Sequence, residues 1–222
     1  MSARFSLLFV SNLMQRQSGK FCIYCKRCCD LLLSLVLLII LGVPFIVIAA
    51  LISLESAGSP LFVQARVGIK GRRFRMLKFR SMYVDADTRL PDPEIRQQFE
   101  STGRILKLCE DPRVTRVGKL LRVTSMDELP QLINVLLGDM SLVGPRALIP
   151  SMVDPYPEWS NARHIMQPGI TGLWQVSARE RNESLADMIE YDLEYVRKWS
   201  LWSDFIILCR TPGVVLSRKG AV

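Results

Sequence analysis

LLLSLVLLIILGVPFIVIAALISL, residues 31–54, runs for 24 residues without a charged side chain, between Asp30 and Glu55. As one helix at about 1.5 Å per residue, a run of this length can cross a hydrocarbon core of about 30 Å. Pro44 stands inside it. A proline there removes a backbone hydrogen bond and crowds the preceding turn, which supplies a bend. A secretory signal fits poorly: the run is too long and begins far from residue 1, and no small-x-small cleavage site is followed by a typical mature chain. Two topologies remain, a single-pass anchor and a helix that enters, bends at Pro44 and returns to the same side.

The flanks weigh on that choice. Residues 1–29 carry five basic side chains (Arg4, Arg16, Lys20, Lys26, Arg27) and no acid, and residues 56–80 carry seven basic side chains and again no acid. Basic flanks favour the cytoplasmic side, and only the bent form puts both there. Over its 222 residues the chain has 29 Lys and Arg against 21 Asp and Glu, a formal charge of +8, with a pI near 9.4 and a mean hydropathy of +0.20. Such an excess suits an anionic partner: nucleic acid, anionic lipid or a phosphorylated substrate. CIYCKRCC (22–29) contains a Cys-x-x-Cys, but no second pair at zinc-site spacing follows, and the only histidine, His164, is far away. Cys109 and Cys209 read as packing thiols, and a cytoplasmic face would keep all the thiols reduced.

Beyond the apolar run, SPLFVQARVGIKGRRFRMLKFRSM (59–82) reads as a β-hairpin turning between Gly68 and Gly71. Its second strand carries alternating basic side chains, which predicts one cationic and one apolar face. Residues 85–112, with Pro91, Pro93 and Pro112, read as a mobile loop around a short helix. Helical patterning begins at RVTRVGKLLRV, resumes in TSMDELPQLINVLL and stops at Gly138. GDMSLVGPRALIP reads as a loop, MQPGITGLWQVSAR as loop and strand, and SLADMIEYDLEYVRKWSLWSDFIILCR as a helical region. Trp199 and Trp202 there suit a membrane interface or a packed core.

TSMDELPQL (124–132) sets two carboxylates side by side. Ser125 has the chemistry of an N-cap, and Glu128 three residues on would complete a capping box. Asp127 would then occupy a first turn, where negative charge is favoured by about 0.3–1 kcal/mol. That is a sufficient structural account. A catalytic account needs cations, because a helix N-terminus seats phosphate only if the acids beside it are offset. Arg122, Lys78, Arg80 and Arg146 are candidates. Asp127 would attack phosphorus, with a divalent cation and an arginine absorbing the developing charge. Each cation read alone is equally a solvated surface residue.

The strings KFRSM, DELPQLINVLLGDMSLVGPRAL and PGITGLWQV, in that order, resemble the bacterial sugar transferase family, the monotopic phosphoglycosyl transferases. The resemblance runs from KRCCD at residue 26 to the C-terminus. It implies Asp127 as nucleophile through a phosphosugar-aspartyl intermediate, and Glu128 in metal binding or proton transfer. It also implies Lys78, Arg122 and Arg146 as contacts to substrate phosphate or nucleotide, Pro44 as the membrane bend, and Mg²⁺ as the metal, held by Asp127 and Glu128. Three positions depart from the family pattern: Val43 where Ser is common, Ala147 for the second proline of GPRP, and Ala178 for a downstream glycine.

The expectation is therefore an α/β, membrane-associated, monotopic chain. Residues 1–25 form a basic segment, 26–56 a re-entrant helix, and 57–222 a small, mainly helical cytoplasmic domain with a β-hairpin and interfacial C-terminal helices. It would act at the bacterial inner membrane, with phospholipid around it, on a nucleotide diphosphate sugar (UDP-sugar) and undecaprenyl phosphate. Downstream glycosyltransferases would use its product, and nucleic acid would not be a partner. A metal-dependent membrane phosphatase or pyrophosphatase, and a non-enzymatic basic scaffold, are the rival readings.

Overall fold

The computed structural model describes residues 19–86, 111–154, 162–178 and 185–217. Most of the expected 85–112 loop, and Cys109, lie outside the described residues.

The apolar run forms two helices, α1 (Lys20–Ile40) and α2 (Gly42–Glu55), bent by 62° where they meet. The break falls at Leu41, three residues before Pro44. Pro44 lacks the N–H that would bond the Ile40 carbonyl, and its ring crowds that carbonyl, so the ladder parts upstream of the proline itself. No single helix among the described residues is long and apolar enough to cross a membrane, whereas the bent pair is so by length and composition. Leu32, Val36, Ile39, Val43 and Ile46 are all exposed on it.

The hairpin forms as read: β1 (Leu61–Val67) pairs antiparallel with β2 (Arg73–Phe79), with Phe62 opposite Lys78 and Arg66 opposite Phe74. The expected separation of faces does not hold. Side chains alternate with period two, so Arg73 and Arg75 share one face while Lys78 falls with Phe74 and the buried Met76 on the other. Ile48 and Ile52 of α2 pack against Phe79 and Leu121, and Phe45 meets Phe79 edge-on at 5.1 Å. Arg80, just past β2, donates to the Ala57 carbonyl (2.7 Å) and to that of Ser56, tying the strand to the end of α2.

Helix α3 (Arg116–Val123) starts at Thr115, whose Oγ1 accepts the Gly118 N–H at 2.8 Å. Glu55 of α2 accepts the Arg116 and Val117 N–H groups at 2.7 and 2.9 Å. These caps satisfy donors that every helix start leaves open.

The capping box at Ser125 does not form. Ser125 lies in the left-handed region (φ 54°, ψ 18°) and its side chain makes no capping bond. Met126–Glu128 is a single 3₁₀ turn, and α4 (Gln131–Leu137) begins only after Pro130. The Asp127–Glu128 pair therefore sits on a tight turn between two helices. Helix α4 does stop at Gly138 (φ 90°), and Arg27 of α1 donates to its last carbonyls, at Val135 (2.8 Å) and Leu136 (3.2 Å).

The segment read as a loop contains a short strand, β3 (Ser141–Val143), which runs parallel to β4 (Gly169–Thr171), the strand of the segment read as loop and strand. At three residues each, they are too short to show an alternating pattern. The turn after β3 touches the start of β4 and the turn after it backbone to backbone. A Cβ on Gly169 would stand 2.1 Å from the Gly144 nitrogen, and one on Gly172 2.2 Å from the Gly144 oxygen, so only glycine permits the approach. Helices α5 (Pro150–Val153), α6 (Leu173–Ser177), α7 (Leu185–Lys198) and α8 (Leu201–Ser217) complete the chain. The C-terminal helical region is thus split at Trp199. That residue is buried in the core with Val143, Val196 and Ile207, whereas Trp202 is exposed and stacked on Phe205. Cys209 is an exposed thiol rather than a packed one.

One buried polar network joins α1 to the rest. Lys26 Nζ donates to Asp204 of α8 (2.6 Å) and to the Val143 carbonyl (3.0 Å). Asp204 also accepts from the Tyr195 hydroxyl (2.7 Å) and the Trp199 indole (3.2 Å). Asp30 accepts from the Ser141 hydroxyl (2.8 Å) and the Leu142 N–H (3.1 Å).

Two stability outcomes follow. Lys26→Met leaves Asp204 buried without its cation and should cost about 3–5 kcal/mol, read as a fall in thermal midpoint in detergent. Lys198→Ala, which removes an exposed i,i+4 partner of Glu194, should change it by no more than about 0.5 kcal/mol. Equal effects would contradict the network's role. Ser125→Gly relieves a left-handed serine and should hold or raise the midpoint; a drop would restore the capping account.

Candidate active site

Three elements bring the site together: the end of β2 supplies Lys78, the 3₁₀ turn supplies Asp127 and Glu128, and the turn after β3 supplies Arg146. Lys78 Nζ donates to Glu128 Oε1 at 2.9 Å and lies 3.8 Å from Asp127 Oδ2. Arg146 reaches the same Glu128 oxygen at 3.7 Å. All four side chains are partly shielded from water, with exposures between 13% and 29%, so their charges interact more strongly than on an open surface.

Arg122, on the last turn of α3, donates from Nε to the Ser81 hydroxyl at 2.9 Å. Burial lowers its guanidinium from the ordinary range, and the carboxylates of Asp127 and Asp111 oppose that shift. Asp111 is itself held below the usual carboxylate range, chiefly by its two-pronged bond to Arg113 at 2.7–3.1 Å. Of the five cations and carboxylates expected around Asp127, the structure gathers Lys78, Glu128 and Arg146 by ion pairing, and Arg122 by its field. Arg80 faces elsewhere, onto the carbonyls of Ser56 and Ala57 just past the end of α2. Pro44 acts on the helix break.

The backbone of Arg146 is fixed from two sides. Its N–H donates to Asp192 Oδ1 of α7 (3.3 Å), and its carbonyl accepts from Arg163 (2.6 Å), which also pairs with Asp192. Arg163 and Asp192 are each 1% exposed. Desolvation raises the Asp192 carboxyl, and the Arg163 cation opposes it. The Arg146 guanidinium lies over the Trp174 ring, 5.6 Å from its centroid, an arrangement that attracts a cation without neutralising it.

Sequence reading missed two contributors. Arg66 counts there only as one of seven flanking basic residues, yet it lines the same cleft as Lys78, Glu128 and Arg146. The hairpin register was the available clue: Arg66, opposite Phe74, lies on the same face as Lys78. The Asp192–Arg163 pair had no local signature, because its members are separated by 29 positions.

Two carboxylates within reach of one ammonium form a donor set of the kind that holds magnesium, which is typically bound through one or two carboxylates plus substrate phosphates and water. Among the described residues no group of three or more His, Cys, Asp or Glu side chains offers a closed metal cage. The arrangement can therefore bind an anion, offer a nucleophilic carboxylate beside it, and share a cation with it.

Residues 21–218 match the family described as Bacterial sugar transferase. A UDP-galactose-lipid carrier transferase of Erwinia amylovora is 42% identical over 220 residues, 97% of this chain and 44% of that protein. The exopolysaccharide production protein ExoY of Rhizobium meliloti is 39% identical over 199 residues, covering 87% of this chain and 86% of ExoY. A UDP-glucose:undecaprenyl-phosphate glucose-1-phosphate transferase of Caulobacter vibrioides is 42% identical over 205 residues, covering 88% and 71%. The chain thus spans under half of the Erwinia relative and most of ExoY. With a family match over nearly all of its length, this chain belongs to the bacterial sugar transferase family.

Proposed function

We propose that the chain transfers a sugar-1-phosphate from a nucleotide diphosphate sugar, a UDP-sugar, to undecaprenyl phosphate, the first membrane step of exopolysaccharide or glycoconjugate synthesis. The observation that carries this reading is the Asp127–Glu128 pair held against Lys78, with Arg146 beside it and Arg122 behind. The names of the relatives support the donor and acceptor classes.

In the first half-reaction an Asp127 carboxylate oxygen attacks the sugar-bearing phosphorus of the donor. The bond from that phosphorus to the bridging oxygen breaks, and a nucleoside monophosphate leaves with the electron pair. In the second, an oxygen of the polyprenyl phosphate attacks the same phosphorus, the bond to Asp127 breaks, and a polyprenyl diphosphate sugar departs. Lys78, Arg146 and Arg122 bind and orient the phosphates and offset their charge. Glu128 takes a proton from an acceptor phosphate that arrives protonated. Asp127 and Glu128 would hold Mg²⁺, which supplies charge neutralisation at the phosphates.

The site would lie on the cytoplasmic face of the bacterial inner membrane, with the bent pair α1–α2 dipping into the phospholipid and returning. Supporting this are the acid-free basic flanks on both sides of the run, the exposed apolar side chains of the pair, and the exposed Trp202 and Phe205 of α8. Downstream glycosyltransferases would extend the lipid-linked sugar.

Asp127→Asn should abolish transfer of labelled sugar phosphate from a panel of UDP-sugars into the organic phase. Glu128→Gln should lower kcat with little change in thermal midpoint, because no capping box depends on it. Turnover by Asp127→Asn within tenfold of the parent would remove Asp127 from its role. Release of free sugar phosphate without lipid would favour a hydrolase.

A further inference from the structure

Beside the dyad, the cleft wall carries Arg66, Lys78 and Arg146 against a single carboxylate, Glu128. Two of these cations already share one oxygen of that carboxylate. Arg66 has none to itself: its terminal nitrogens donate to neutral oxygens, the Ala147 carbonyl at 2.8 Å and Gln64 Oε1 at 2.5 Å. Its Nε is buried without a hydrogen-bond partner. Burial and the neighbouring Arg146 lower its guanidinium to about 10, with Glu128 opposing, so it remains a cation at neutral pH. A wall with two positive charges in excess matches a phosphate monoester, which carries about −1.5 to −2 at pH 7. The free interior of the cleft is only about 10 Å³, room for one water. A phosphate would therefore enter by drawing the long side chains of Lys78 and Arg146 off Glu128.

The stereochemistry of the proposed reaction sharpens what that seat would hold. Each displacement puts the attacking and leaving oxygens roughly in line through phosphorus. Asp127 is the nucleophile of the first step and the leaving group of the second, so the nucleotide departs from the position that the acceptor later takes. Arg66 and Arg146 line one cleft with Lys78 and Glu128, and Lys78 joins that cleft to Asp127, 2.9 Å from Glu128 and 3.8 Å from Asp127. Resting on the transferase reading, we infer that Arg66 and Arg146 form one anion seat used in succession, first by the phosphate of the leaving nucleoside monophosphate and then by the phosphate of the lipid acceptor. Arg66 is thus a further substrate-binding residue, and one charge reads two chemically different substrates through the group they share.

The test is Arg66→Gln and Arg66→Lys in the full chain in detergent or nanodiscs, with steady-state kinetics and inhibition by UMP and by inorganic phosphate. Arg66→Gln should raise the inhibition constants of UMP and phosphate and the KM for undecaprenyl phosphate in parallel, each by about 10-fold or more, as for loss of one charge-assisted contact. Arg66→Lys should recover part of all three. A change in UMP inhibition without a change in acceptor KM would show separate seats, and no change in any of them would show that Arg66 only supports the Ala147 turn; either overturns the inference. A purely structural role would lower kcat and the thermal midpoint alike in both variants, without the recovery by lysine. If the parent moves no sugar phosphate to lipid, the transferase reading fails by itself. The seat is then judged by direct binding of inorganic phosphate followed by phosphorus NMR, which Arg66→Gln should weaken and which, if unaltered, disproves it.

Discussion

The buried pair between Lys26 and Asp204 is the contact on which the remaining arrangement hangs. An ammonium and a carboxylate, each about nine-tenths withdrawn from water, are tolerable only because every neighbouring group is a matching donor or acceptor. The Val143 carbonyl, the Tyr195 hydroxyl and the Trp199 indole fill those positions. The result pins the polar start of α1 to α8 and to the end of β3, three residues before Arg146. The bent apolar pair and the cation that meets Glu128 thus share one foundation. Arg27, next along α1, reaches the other side by closing the end of α4, which follows the dyad turn.

The dyad itself shows a competition settled by distance. Lys78 is nearer to Glu128 than to Asp127, 2.9 against 3.8 Å, and Arg146 also turns to Glu128. Glu128 therefore takes the Lys78 and Arg146 contacts, while the Arg122 cation acts on Asp127 through its field.

What the sequence made legible depended on the range of the physics involved. The apolar run, the hairpin and the stop at Gly138 are governed by neighbours a few positions away, and they were readable. Ser125 was misread because its residue type suits an N-cap, while the fold uses it as a left-handed pivot; nothing in TSMDEL distinguishes the two. The strand faces were misassigned because the basic residues of RRFRMLKF are not all an even number of positions apart, so Lys78 and Arg75 point to opposite sides. The parallel pairing of β3 with β4, the Arg163–Asp192 pair and the inward turn of Arg66 all join segments distant in the chain. Apart from the hairpin register for Arg66, no local pattern announced them. The adjacent acids and the basic residues of the chain already made the dyad and its cations candidates, and the resemblance to a family motif assigned their roles.

Arg80 gives the molecule a mechanical property. Its guanidinium grips the carbonyls of Ser56 and Ala57, the two residues just past α2, while its own backbone follows β2 two residues after Lys78. Any tilt or lift of α2 is therefore delivered to the ammonium that organises the dyad through a very short lever. Glu55 passes the same displacement to α3 by holding its first N–H groups, and α3 carries Arg122. Two of the cations around Asp127 are thus geared to one helix end, and the thickness or stiffness of whatever surrounds that helix becomes a variable of the chemistry.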